Sequence, residues 1–347
     1  MSRLHRRAFV GAALALAACG QKAQSQPPVS IAPLKTAAPF PVGSCVQAGQ
    51  LDDPAAAELL AAQVSQLTPE WELKMEYVLQ ADGAYRFDAP DRIASFAADH
   101  GMRLFGHTLV WYAQKPAFFE GLDGAAFRQA FEAYVQTVVG RYRGRAVGWD
   151  VVNEAVTDDG AGWRDSLWSQ RLGRLDHMRI AYDLAHGADP GATLFLNDYN
   201  LETNPKKRAT FLGLAEALLK AGAPLGGLGT QTHVPADLAP GAITAALHDL
   251  AGLGLKVRIS EMDVSLAGAQ GFASPDDLRR RQAALYAEAA GAFAALPAHQ
   301  RADFTFWGLE DSQSWLRREN PTDAPLLFDD QGRPKPAALA WERALRR

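Results

Sequence analysis

Eight short apolar runs, separated by longer stretches with helical spacing, set the first limit on how this chain can fold. The runs are 41–46, 64–69, 103–111, 146–154, 192–200, 227–234, 256–264 and 303–311. The spacing predicts helices over 55–66, 92–100, 125–142, 175–186, 206–220, 243–253, 275–296 and 336–345. Gly101, Gly187 and Gly222 stand where helix C-caps are expected, and Pro275 with Asp276 and Asp277 is a typical helix start. Strands that are apolar throughout, rather than alternating, are buried on both faces, and a parallel sheet covered by helices buries them that way. Eight strand–helix units in about 300 residues fit a single-domain α/β protein, a (β/α)8 TIM barrel. A doubly wound open sheet is the rival arrangement. The glycine-rich "GGLGTQ" at 226–231 lacks the spacing and the following helix of a nucleotide-binding loop, so it reads as the start of a strand.

Polar residues collect at one end of these runs. The third leads to His107, Trp111 and Gln114, and the fourth ends in Asn153 and Glu154. The fifth ends in Asn197, Asp198, Tyr199 and Asn200, and the sixth carries Gln231 and His233. The seventh carries Glu261 and Asp263, and the eighth leads to Trp307, Glu310, Asp311 and Trp315. In a parallel barrel all of these fall at the C-terminal mouth, where chemistry is done. Glu154 and Glu261 are each preceded by apolar sequence, and a desolvated carboxylate needs partners or a shifted pKa. On the fourth and seventh strands the two can face each other across the mouth. Paired carboxyls are the equipment for glycoside cleavage, one giving a proton to the leaving oxygen and the other attacking the anomeric carbon. The roles require one ionised carboxyl and one that brings a proton, hence a pH–rate profile with two limbs. The plainer reading makes one of the two a buried ion pair, for instance with Arg258.

Composition narrows the partners. The chain of 347 residues carries 35 basic and 39 acidic residues, and its first 18 include Arg3, Arg6 and Arg7 but no acid. Without that segment the net charge is near −7, which argues against nucleic acid. No H-x-x-x-H pair, paired-cysteine motif or calcium loop occurs, so neither metal nor cofactor is expected, and no G-x-S-x-G marks a serine nucleophile. Residues 1–18 combine a basic start with an apolar run too short to span a bilayer, the pattern of an export signal. "LAAC" (16–19) resembles a bacterial lipoprotein cleavage box, which implies lipid on Cys19. Arg6 and Arg7 partly match a twin-arginine signal; an ordinary signal peptide with an incidental cysteine is the alternative. Residues 19–38, rich in Gln, Ser, Pro and Ala, read as the lipidated cysteine and a flexible tether, leaving 39–347 as the catalytic barrel. Membrane contact is then through the anchor alone, on an exported, monomeric protein facing the periplasm or the cell surface. Cys45 is left as a buried, inert thiol.

Taken together and in order, "GHTLVW" (106–111), "WDVVNEAV" (149–156), "LFLNDYN" (194–200), "GLGTQTHV" (227–234), "ISEMDV" (259–264), "FWGLEDSQSWL" (306–316) and "PLLFDDQGRPKPA" (325–337) resemble glycoside hydrolase family 10, the endo-β-1,4-xylanases. The resemblance covers roughly 41–340. It implies a retaining mechanism on xylan or xylo-oligosaccharides, with Glu154 as acid/base, Glu261 as nucleophile and their carboxyls about 5–5.5 Å apart. It also implies that Asn153, His107 and Trp111 contact the sugar at the cleavage point. His233 would hold the nucleophile, with Asp263 orienting it, and Gln231 would lie near the acid/base. Tyr199, with Asn200 beside it, would form a platform on the leaving-group side, and Trp307 and Trp315 would cover the non-reducing side. Glu70, Lys74 and Gln114 match family positions in "EWELK" (70–74) and "WYAQ" (111–114).

Two positions depart from the pattern. Trp71 stands where the family has an asparagine that contacts the second sugar, and Tyr112 and Ala113 replace a His-Ser pair. Both changes are expected on the non-reducing side, where an indole in place of an amide removes a hydrogen-bonding group and fills space. Trp71 then either packs passively or alters the second glycone subsite, favouring short, decorated or aryl xylosides. A silent glycan-binding lipoprotein and a barrel β-glycosidase acting on other glycans remain as alternatives, since a fold alone does not grant a function.

Overall fold

The structure, a computed structural model, describes residues 31–346; the expected signal peptide and Cys19 lie outside them. The strands are β1 (Val42–Val46), β2 (Gln66–Pro69), β3 (Arg103–Trp111), β4 (Ala146–Asn153), β5 (Thr193–Asp198), β6 (Gly227–Thr230), β7 (His233–Pro235), β8 (Lys256–Ser265) and β9 (Arg301–Phe306). Each pairs in parallel with the next from β1 to β6; β6 pairs with β8, β8 with β9, and β9 with β1. The β1–β9 register, with Val42 opposite Phe304, closes the sheet and disposes of the open-sheet alternative. Short β7 pairs with β8 beyond the end of β6, so the two form one stave and the barrel has eight.

The strands are buried along nearly their whole length, as their continuous apolar character requires. Packing inside the wall is tight enough to dictate glycine. A Cβ on Gly106 would lie 2.1 Å from the buried Trp149 ring, so only a residue without one lets β3 approach that indole. The interior also holds charge. The guanidinium of Arg258 on β8 reaches Asp150 on β4 at 2.9 Å and Asp303 on β9 at 3.1 Å, all fully buried, with its Cζ 3.4 Å above the Phe105 ring. Arg258 is thus spent on aspartates, not on either glutamate.

The differences from the sequence reading have local causes. The run 227–234 is broken because Thr232 takes a left-handed φ of 59°. The run 303–311 stops as a strand at Phe306, before Gly308 at φ 114°. The second main helix begins at Asp88, earlier than expected, because Pro90 is tolerated in a first turn. An additional helix, Leu167–Leu172, is held by a reciprocal Ser166–Ser169 cap.

The tether expected over 19–38 is corrected at its end: residues 31–38 belong to the domain. Leu34 is fully buried at the start of a helical turn, Leu34–Ala37. Its N–H donates to Gln63 Oε1 at 3.2 Å, and the Ala32 N–H donates to Glu342 Oε1 at 3.1 Å. One leucine and a few hydrogen bonds suffice to dock a segment whose composition alone reads as linker. Leu34→Ala should therefore destabilise the fold by about 2–4 kcal/mol, as for a core leucine, measurable by urea unfolding. A change under about 0.5 kcal/mol would return the segment to the tether.

Candidate active site

The C-terminal ends of the staves surround a cavity of about 370 Å³. Of the expected site residues, it is lined by Glu70, Trp71, Lys74, His107, Trp111, Asn153, Glu154, Tyr199, Asn200, Gln231, His233, Glu261, Trp307 and Trp315. Arg318 completes the wall. Gln114 is buried outside it, its Oε1 accepting from the Glu76 N–H at 2.8 Å, which makes it a support for the 74–78 turn. Asp263 lies one layer below, under His233.

Glu154 follows β4 directly and adopts φ 58°, a left-handed conformation costly for a side chain with a Cβ. The surroundings hold it there. Its N–H donates to Asn197 O at 2.8 Å, and the next turn is fixed by the Val156 N–H on Asp198 Oδ2 at 3.1 Å. Its carboxyl accepts from Trp111 Nε1 at 2.7 Å, Gln231 Nε2 at 2.9 Å and Asn153 Nδ2 at 3.2 Å. Strained backbone that is over-determined in this way marks sites where position matters more than stability.

Glu261, 4% exposed, sits in the middle of β8. Burial by itself pushes its carboxyl up, but the imidazoles of His107 and His233 and the Lys74 ammonium outweigh that and bring its pKa down to about 2. His233 is held at the other extreme. Burial lowers it, yet Asp263 Oδ2 at 2.8 Å from Nδ1 and Glu261 Oε2 at 3.4 Å from Nε2 raise it to about 10. Trp315 Nε1 also donates to that Asp263 oxygen at 2.9 Å, tying the cover of the cavity to the base beneath it. His107 is anchored likewise, with Nδ1 2.9 Å from Asp150 Oδ2, the same aspartate that Arg258 binds.

Asn197 joins the two glutamates. Its Nδ2 donates to Glu261 Oε1 and to Asn153 Oδ1, both at 2.9 Å, while its Oδ1 accepts from Ser260 Oγ at 2.7 Å. The amide is therefore fixed in orientation, and Asn153 carries the chain on to Glu154. Gly229 makes room for it, since a Cβ there would lie 2.3 Å from Asn197 Oδ1. The sequence placed Asn197 at a strand end without assigning it a task. The available signal was its setting, an amide closing an apolar run just as Asn153 does.

Lys74 lies with its Nζ 4.1 Å above the Trp71 ring and 4.7 Å above that of Trp111. Burial lowers its pKa, opposed by Glu261, Glu70 and Glu154. Burial raises that of Glu70 against hydrogen bonding from Gln47 and the charge of Lys74. The two departures from the family pattern, expected on the same side, are separated. Trp71 lines the cavity beside Arg318 and Tyr77. Tyr112 lies outside it with Arg164 stacked on its ring at 4.1 Å. Arg164 in turn donates to Asp158 at 2.9 Å and to the Tyr199 hydroxyl at 3.1 Å. The expectation for Tyr112 is corrected accordingly: Trp111, between the two positions, turns its successor outward to the Tyr199 side.

A closed parallel barrel that brings three buried glutamates, four indoles and several amides into one cavity at its C-terminal mouth has the architecture of a barrel glycoside hydrolase. The chain belongs to glycosyl hydrolase family 10, whose sequence profile matches residues 32–344. Exoglucanase XynX of Acetivibrio thermocellus is 33% identical over 316 residues, which cover 87% of this chain; the chain spans only 28% of that protein's length. An endo-1,4-beta-xylanase of Geobacillus stearothermophilus is 36% identical over 317 residues, 86% of this chain and 93% of that protein. Among solved structures, a thermostable mutant of the xylanase Xyn10A from Cellvibrio japonicus superposes with a TM-score of 0.83 at 32% identity, covering 90% of this chain and 99% of that one.

The paired shifts make stability depend on pH with a definite sign. His233 is raised from 6.5 to about 10, so its contribution is complete below pH 6.5 and is lost as pH rises through 10. Glu261 is lowered from 4.5 to about 2, so its contribution is complete above pH 4.5 and is lost as pH falls through 2. Urea unfolding should show the stability gap between wild type and His233→Asn shrinking steadily from pH 6.5 to pH 10. A gap that stays constant or widens over that range would mean His233 is not held as an imidazolium.

Proposed function

We propose that this chain is a retaining endo-β-1,4-xylanase. In this reading Glu154 protonates the glycosidic oxygen while Glu261 attacks the anomeric carbon, giving a covalent glycosyl-enzyme and releasing the leaving sugar. Glu154 then takes a proton from water, which displaces Glu261 and restores the original anomeric configuration. The observation that carries the assignment is the contrast between the carboxyls: Glu261 is held ionised by two imidazoles and an ammonium, while the hydrogen bonds to the Glu154 carboxyl, in the same cavity, all come from neutral donors. Family membership and relatives named as xylanases support the substrate class. The flat faces of Trp111, Trp307, Trp315 and Tyr199 suit sugar rings, and the amides of Asn153 and Gln231 suit hydroxyls.

His107 and Asn153 would bind the sugar at the cleavage point, and Trp71 would reshape the neighbouring glycone subsite, where it replaces an amide with a ring. In the same reading the barrel is exported through residues 1–18 and held at a membrane by lipid on Cys19, acting as a monomer. The sequence "LAAC" supports this, and the docking of residues 31–38 shortens the tether to about a dozen residues. Labelling with a radioactive fatty acid in a bacterial host, lost in Cys19→Ser, tests the anchor.

Glu261→Ala should lower kcat/KM on xylan on the order of 10⁴-fold or more. A 2-fluoro-xyloside with a good leaving group should label the Glu261 peptide, as read by mass spectrometry. Glu154→Gln should cost about 10²–10⁴-fold on xylan and much less in the first step on aryl xylosides, whose leaving group needs no proton. Full activity in Glu261→Ala, or a label elsewhere, defeats the assignment. Faster release from glucan or mannan than from xylan across a polysaccharide panel defeats the substrate class.

A further inference from the structure

Resting on the xylanase reading, we infer that the glycone end of this cleft selects a xylan chain bearing a uronic-acid substituent, its carboxylate paired with Arg318 beside Trp71. Three observations at that end combine. Trp71 fills the wall with an indole, flanked by Lys74 Nζ at 4.1 Å and Arg318 Cζ at 5.2 Å. Such a ring removes an amide that would bind a plain sugar's hydroxyls, and its π-system instead holds the two cations over it. Tyr77, 43% exposed, continues the aromatic surface outward with its ring centroid 5.9 Å from that of Trp71.

The third observation is what Arg318 lacks. The other two arginines near the mouth are occupied: Arg164 donates to Glu154 O, Val156 O, Asp158 and Tyr199, and Arg317 donates to Asp323 O and pairs with Asp330. Among the described residues, Arg318 donates no hydrogen bond; its nearest carboxylate oxygen, Glu70 Oε1, lies 3.9 Å away, too far for one. Its side chain lines the cavity while remaining 59% exposed. A guanidinium with its fork of donors unused matches a carboxylate in shape and charge. Unsubstituted β-1,4-xylose units offer only neutral oxygens, whereas a uronic-acid side group supplies the carboxylate that this guanidinium lacks.

The full chain is assayed on a linear xylo-oligosaccharide and on the same oligosaccharide carrying one glucuronic acid. The quantity read is the ratio of kcat/KM on the substituted to the plain substrate. Arg318→Gln should lower this ratio about tenfold, the size of one hydrogen-bonded contact to a charged group, and Arg318→Lys should keep part of it. The wild-type ratio should also fall with added salt, and mass spectrometry should find the uronic acid on the glycone fragment. Equal ratios for wild type and Arg318→Gln, or the acid always on the leaving fragment, overturn the inference. If wild type cleaves the plain oligosaccharide and only the ratio is unmoved, the xylanase reading stands alone; if it cleaves neither, both fall. The rate on the plain substrate in each preparation reports that the variant is folded.

Discussion

The charge inside the barrel is what the mouth is built upon. Arg258 bridges Asp150 and Asp303 across an interior that water does not reach, and Asp150 uses one oxygen for both Arg258 and His107. Removing one partner of such a set strands a buried charge at a cost of about 3–5 kcal/mol. The network therefore fixes β4, β8 and β9 relative to one another as firmly as hydrophobic packing does. It also fixes His107, whose imidazole helps hold Glu261 ionised. The nucleophile's electrostatics thus begin at the centre of the barrel, and a mutation at Asp150 reaches the cavity without touching it.

Above that layer the two glutamates are organised by different means. Glu261 relies on charge, with His107, His233 and Lys74 around it and Asp263 behind His233. Glu154 relies on neutral hydrogen bonds and on a strained backbone held by strand β5. Asn197 couples them, because one amide cannot turn without releasing Glu261 or Asn153. A site in which two like residues must behave differently needs that separation of environments, and the barrel supplies it by placing them on strands at opposite sides of one cavity.

Much of this was legible in the sequence, since both levels follow from periodicity. Continuous apolar runs with helical spacers define the closed sheet, and polar residues at the end of each run fall at one mouth. Glu154, Glu261 and most of their neighbours were found on that basis and by resemblance. What escaped depends on contacts distant in sequence. Residues 31–38 look like linker until Leu34 finds a pocket between helices that begin at residues 54 and 336. Arg258 lies on an apolar strand three residues before Glu261, and only the folded barrel shows that its partners are aspartates on β4 and β9. Tyr112 follows Trp111 by one residue, so a linear reading puts it with Trp71 on one side of the mouth, whereas the end of a strand turns successive side chains to opposite sides.

The two ends of the mouth use their arginines differently. On the Tyr199 side Arg164 is saturated, since it braces the 154–164 loop, stacks on Tyr112 and neutralises Asp158. On the Trp71 side Lys74 is held among Glu261, Glu70 and Glu154, whereas Arg318, over the same indole, has Glu70 at 3.9 Å as its nearest carboxylate and donates no hydrogen bond among the described residues. A neutral polysaccharide gains little from that guanidinium, because its hydroxyls are served as well by an amide. A guanidinium with unused donors distinguishes chiefly a ligand that is itself charged. The two ends of the mouth therefore differ in what they leave open: Arg318 keeps its donors, whereas Arg164 has spent them.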